Sequence, residues 1–314
     1  MEIAINARPI QTPDFDWDVI LNMSYNRGTL GDFLDGVGMF YPTDAQFGTI
    51  RSASVPNGGD FMAMVGSRFQ YAPLMEGGEV VFSDEAKKTP VEDKESGVYA
   101  VDPSTGLYYL YASSNEVVAN REPKLIGGLN NIFRIKDFTF SFLLDFRIGG
   151  AVYNGTEYSM VTNGLSKLTT LNNRESVTVK GKVWNTGEDF EQTYEVGKDY
   201  VINGTTYSGI NMIQRYWSNY ANNSYNFITD VNWLKLRSIS LTYDLTRLIA
   251  NRQNVVKRLA LNVTGTNLIT WTNYKGMDPE VSTAGGTGGS GAVGIDWNSV
   301  PAVSSFTFGV NVTF

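Results

Sequence analysis

Apolar and polar residues alternate with a period of two along several stretches of the chain, most cleanly at its end. Phe306, Phe308, Val310, Val312 and Phe314 fall on one side there, and Thr307, Gly309, Asn311 and Thr313 on the other. Phe138, Phe140, Phe142, Leu144 and Phe146 alternate with Thr139, Ser141, Asp145 and Arg147, and Ile239, Leu241, Tyr243 and Leu245 with Ser238, Ser240, Thr242 and Asp244. Successive side chains of a strand point to opposite faces, so each set marks one apolar and one polar face. The pattern predicts eight strands, at 2–7, 16–27, 61–71, 124–136, 138–147, 232–245, 258–268 and 304–314. Most run to about 10 residues, the length a tilted strand needs to cross a hydrocarbon core.

The connections are unequal. Lys136-Asp137 reads as a tight turn, and 246–257 as a short link with one helical turn around 245–249. The segments 72–123, 148–231 and 269–303 are long and rich in Gly, Asn, Ser and Asp. Short turns at one rim and long loops at the other are the arrangement of a transmembrane β-barrel. The segment 28–60 breaks the rule: counting up and down places it on the short-turn side, yet it is long. The polar faces carry Thr, Ser, Asn and Gly rather than the charges of a solvated sandwich face, which favours an antiparallel transmembrane barrel wall of about eight strands. Two alternatives stay open: a complete small eight-stranded barrel with a structural or adhesive role, and a soluble carbohydrate-binding β-sandwich.

Composition removes whole classes of chemistry. The 314 residues contain no Cys and no His. That excludes disulfides, thiolate zinc sites, cysteine nucleophiles, imidazole ligands and a Ser-His-Asp triad. With 25 Lys+Arg against 32 Asp+Glu the net charge is −7, the wrong sign for nucleic acid. No apolar run is long enough for a transmembrane helix, and Met1-Glu2-Ile3-Ala4 does not open a signal peptide. No carboxylate pair or activated nucleophile stands out, so no enzyme, cofactor or metal site is expected.

Three segments resemble the SusC/RagA-type TonB-dependent outer-membrane transporters. They are Asn267 to Ser282 followed by a Gly-rich loop, Val300-Pro301 and Phe306-Thr307-Phe308-Gly309; Leu234 to Tyr243; and Arg121 to Asn131 leading into Ser141 to Asn154. The resemblance covers the whole chain in family order. It implies a C-terminal part (1–314) of a larger, 22-stranded barrel in the bacterial outer membrane, with the plug, the TonB-interacting segment and the signal peptide absent. It further implies import of oligosaccharides or peptides, a SusD-like surface lipoprotein as partner, and coupling to the TonB complex only through the missing N-terminal parts.

Thr307-x-Gly309-x-x-Val312-x-Phe314 resembles the signal by which the barrel-assembly machinery recognises a last strand, a process of strand-edge pairing. Its bland alternative is an ordinary lipid-facing strand. Gly286-x-Gly288-x-x-Gly291 has dinucleotide spacing but no strand–helix context, so it reads as a loop. Asp14-x-Asp16-x-Asp18 lacks the Gly and distal Glu of a calcium loop and reads as polar rim. Asn154-Gly155-Thr156 and Asn203-Gly204-Thr205 read as turn chemistry. Trp184, Tyr194, Tyr200, Tyr207, Tyr216, Trp217, Tyr220 and Tyr225 crowd the long loops, where they suit ligand contact, interface belts or packing.

Overall fold

The computed structural model describes every residue except 32–33, 35, 43–45, 85–88, 112–115, 250–254 and 281–292. Its dominant element is a seven-stranded antiparallel sheet in simple chain order. The strands are β1 (Glu2–Gln11), β2 (Phe15–Ser24), β3 (Leu125–Ile135), β4 (Phe138–Ile148), β5 (Trp233–Asp244), β6 (Arg258–Thr272) and β7 (Ser305–Thr313). Pairing puts the periodic apolar sets in register. Trp17 lies opposite Phe133, Phe133 opposite Phe140, Phe140 opposite Leu241, Leu241 opposite Val263, and Val263 opposite Phe308. Rings stack along this face, with 5.7 Å between the centroids of Trp17 and Phe133 and 4.3 Å between those of Phe138 and Tyr243. The opposite face is tied by hydroxyl pairs such as Ser240–Thr264 and Thr266–Ser305.

The eighth expected strand is not in this sheet. Within 61–71 only Ala63–Gly66 is a strand, and all four residues are buried in a small sheet with Ile50–Ala53, Gln46–Phe47 and Glu116–Asn120. Phe61 to Val65 is a continuous apolar run rather than an alternation, the signature of a strand covered on both faces. Removing it from the wall resolves the anomaly at 28–60, which merges with 72–123 into one long connection. Short links (12–14, 136–137, 245–257) now alternate strictly with long ones (25–124, 149–232, 273–304). The expected helical turn is α3 (Thr246–Ile249), in a short link.

The long connections fold together at one rim. They hold α1 (Gly155–Thr162), α2 (Gly209–Ala221) and, besides smaller ones, two large buried clusters. One centres on Ile50, Met64, Tyr153, Phe227 and Ile295, the other on Val101, Val179, Tyr194 and Met212. Nothing comparable covers the wall: Phe308 is 76% exposed, Leu241 46% and Val263 41%. No second sheet packs on the apolar face among the described residues, so a sandwich core is absent there. Among those residues β1 pairs only with β2 and β7 only with β6, so the sheet does not close on itself as a small barrel would.

Candidate functional site

The chemistry of the wall lies on its polar face and depends on two β-bulges. Extending the step of two backwards from Ile239 would place Arg237 and Lys235 among the apolar residues. Instead Ser238 pairs with Leu143 and Leu236 with Leu144, leaving Arg237 as the extra residue. Leu234 and Leu236 thereby join the apolar face, and both cations reach the polar one. Arg237 Nε donates to Asp145 Oδ2 at 2.7 Å, and its other arm donates to Glu280 Oε1. Lys235 Nζ donates to Asp278 Oδ1 at 2.6 Å and Glu280 Oε2 at 2.5 Å. The two cations lie 5.4 and 5.5 Å from the Trp233 ring centroid.

β1 repeats the device. Ala7 pairs with Val19 but Ile10 with Trp17, so Arg8-Pro9 bulges. A proline has no N–H to offer a ladder, so a bulge on an outer strand suits it. Arg8 Nε donates to Asp18 Oδ1 at 2.6 Å, and Arg134 donates to the other oxygen of the same carboxylate. This absorbs Asp18 of the Asp14-x-Asp16-x-Asp18 run into ion pairing.

Asp278 and Glu280 come from the long connection between β6 and β7, so the ion pairs strap that connection onto the wall. Burial pushes the Asp278 carboxyl up. The Lys235 ammonium and the backbone N–H groups of Glu280 and Ala302 outweigh this and hold it below the usual carboxylate value. Deeper in the same connection, Tyr274 OH and Thr156 Oγ1 donate to the two oxygens of buried Asp296, pinning the returning chain beside α1.

Several cavities of ligand size lie among the described residues, two of them just above 700 Å³. The first, about 720 Å³, lies between the polar face and the strapped connection. Asn22, Ser24, Asp145, Arg147, Trp233, Arg237 and Glu280 are in its lining. The second, about 710 Å³, lies between the polar stripe of α2 (Asn211, Gln214, Arg215, Ser218) with its C-cap Asn222 and Tyr108-Tyr109-Leu110.

Of the residues singled out in sequence, Thr307, Gly309 and Val312 lie on β7, opposite Thr264, Asn262 and Leu259. Gly309 is there for space: a Cβ would run into Asn262 Oδ1 and come within 3.0 Å of Asn262 Cγ. Phe314 is 71% exposed at the short-link rim, its carbonyl accepting from Lys257 Nζ. The loop aromatics are mainly packed. Tyr194 is buried with its hydroxyl donating to Gly106 O, and Trp217 packs edge to face against Tyr216 and Tyr220 along α2. Asn154 caps α1, and Asn203-Gly204, both left-handed, turn a hairpin. Gly286, Gly288 and Gly291 lie outside the described residues. Periodicity missed the Lys235–Arg237–Asp278–Glu280 cluster, because its only signal is two charges out of phase in an apolar strand.

A single open antiparallel sheet with one bare apolar face, one polar face and unequal rims is consistent with a fragment of a β-barrel. The chain is similar in sequence to TonB-dependent receptors, SusC among them. It is 23% identical over its whole length to TonB-dependent receptor P3 of Formosa agariphila and 24% identical to TonB-dependent receptor SusC of Bacteroides thetaiotaomicron. It spans only 28% and 26% of those relatives. The solved RagAB peptide transporter matches all of the chain over 29% of its own, with a TM-score of 0.57 at 16% identity, which supports the fold. No family model matches the chain.

Proposed function

We propose that residues 1–314 form the C-terminal part of the wall of an outer-membrane barrel that imports oligosaccharides or peptides in a TonB-dependent cycle. The supporting observation is the open seven-stranded sheet, whose bare apolar face suits a lipid bilayer and whose polar face suits a water-filled lumen. Unpaired strand edges in hydrocarbon cost several kcal/mol per group, so further strands of a longer protein complete the wall. The strapped loops then face outside the cell, where a SusD-like lipoprotein acts as lid. The TonB complex engages the parts preceding this segment. The chemistry asked of this chain is shape and passage rather than catalysis.

The residues Thr307, Gly309, Val312 and Phe314 serve recognition by the barrel-assembly machinery. Removing Phe314 forfeits only about 2 kcal/mol of apolar burial, so a severe loss would have to come from failed recognition. In the full-length transporter, deletion of Phe314 should sharply lower the folded, heat-modifiable protein in outer-membrane fractions. Leu165→Ser, at an exposed outer-loop position, should hardly change it. Equal folded levels would reduce the octet to a lipid-facing strand. Affinity purification of the tagged transporter should bring down a surface lipoprotein, and its absence would remove the lid from the proposal.

A further inference from the structure

Arg147 stands apart from the other cations of the polar face. Lys235 and Arg237 are each bound by two carboxylates, whereas Arg147 makes no ion pair among the described residues. Its guanidinium is held by neutral carbonyls: Nε donates to Gly149 O at 2.9 Å, and one amino group to Gly150 O at 3.1 Å and Arg121 O at 3.2 Å. The backbone is shaped for this. Gly149 and Gly150 take left-handed φ of +75° and +84°, and a Cβ on Gly150 would run into the guanidinium and lie 2.7 Å from Arg121 O. The glycine pair therefore serves to wrap carbonyls around the cation.

Directly across the strand pairing from Arg147 is Trp233, nine-tenths buried, whose indole Nε1 has no hydrogen-bond partner among the described residues. Both residues line the 720 Å³ cavity under the strapped connection. A guanidinium and an indole N–H are donors only, so the group that satisfies both must be an acceptor. The surrounding charges decide which. The charged side chains lining the cavity are Arg147 and Arg237 against Glu2, Asp145 and Glu280. Arg237 is already bound by Asp145 and Glu280, so only Arg147 is left to meet an anion and the site tolerates one added negative charge far better than two.

We propose that Arg147 and Trp233 form a carboxylate subsite, at which an imported ligand docks through one free carboxyl group. This rests on the import reading above and adds to it a chemical requirement on the ligand. The carboxylate takes the open side of the guanidinium and the indole N–H, two charge-assisted bonds in a partly enclosed cavity.

The test uses the purified full-length transporter and matched probes: tryptic peptides of casein and short oligogalacturonates, each before and after methyl esterification. Mass spectrometry counts what is retained. The free acids of at least one probe should be retained about tenfold better than the esters, the worth of one charge-assisted bond. Arg147→Gln should abolish the preference. Trp233→Phe, which removes only the N–H donor from an aromatic position, should weaken it, and folded levels confirm that both variants assemble. Equal retention of acids and esters, retention of neither probe, or an unchanged preference in Arg147→Gln overturns the proposal. So does a loss of heat stability in ligand-free Arg147→Gln without any acid preference in the wild type, which would assign the site to an acidic side chain of the longer protein. Uptake of an uncharged ligand alone would leave the import reading standing while sinking the subsite. No uptake of any ligand by the wild type would sink both.

Discussion

In the wall, large side chains point outward from a single sheet, and no second sheet covers them among the described residues. In the outer connections the same residue types are wholly enclosed. Ile50, Met64, Tyr153, Met212 and Ile295 are inaccessible to solvent, whereas Trp233 and Ala260 are the wall's only buried hydrophobics among the described residues. The loops are thus built like a small soluble domain, with aromatic clusters and capped helices. On the proposed function, the wall is built as a surface that needs an apolar medium on one side. One physical force, removal of apolar area from water, is met internally in one region and externally in the other. The strap at Lys235 and Arg237 joins the two.

Cutting that strap should have the largest effect. Lys235→Ala leaves two carboxylates facing a poorly solvated wall, and losing one partner of a buried pair costs about 3–5 kcal/mol. Hydrogen exchange in the full-length protein should show 273–280 losing protection while α2 keeps its own. Next comes the loop core. Met212→Ala in α2 should cost about 3 kcal/mol, read as faster exchange around Tyr194 and α2, with heat-modifiable barrel mobility unchanged. Leu241→Arg on the bare face should do the reverse at about 2 kcal/mol, lowering barrel stability in bilayers while the loops keep their protection. If both substitutions moved both readouts together, the two regions would be one cooperative unit.

The smallest effect is a pH dependence of the strap. Asp278 is held below its ordinary value of 3.8. A depressed carboxylate contributes stability that is fully present above the unfolded value and is lost as pH falls through the folded one. Protection of 273–280 should therefore be constant at neutral pH and fade only below about pH 4, and Asp278→Asn should remove that dependence.

The wall was legible because a half-exposed strand writes its faces in steps of two. β4 and β7 came out within a residue or two of their expected ends. The segment 61–71 misled because a strand buried on both faces shows only an apolar run, which length alone cannot assign to wall or loop. The loop domain was illegible for a related reason. Its core joins Ile50, Tyr153 and Ile295 across long separations, and no local pattern records which turn meets which. Gly149-Gly150 looked like loop composition, and only the carbonyls around Arg147 explain the pair.

The bulge at Arg237 makes β5 a message with a reading frame of two and one inserted character. Leu234 to Leu236 and Ser238 to Asp244 are each in frame with their neighbours, but out of frame with one another. Arg237 absorbs the mismatch. Deleting Arg237 would leave every other residue of the strand on the face it now occupies. Deleting Leu236 would close the gap the wrong way and turn Arg237 toward the apolar side. Within this strand, tolerance of a one-residue deletion is set by parity, and a gap of one is harmless only where the count is already off by one.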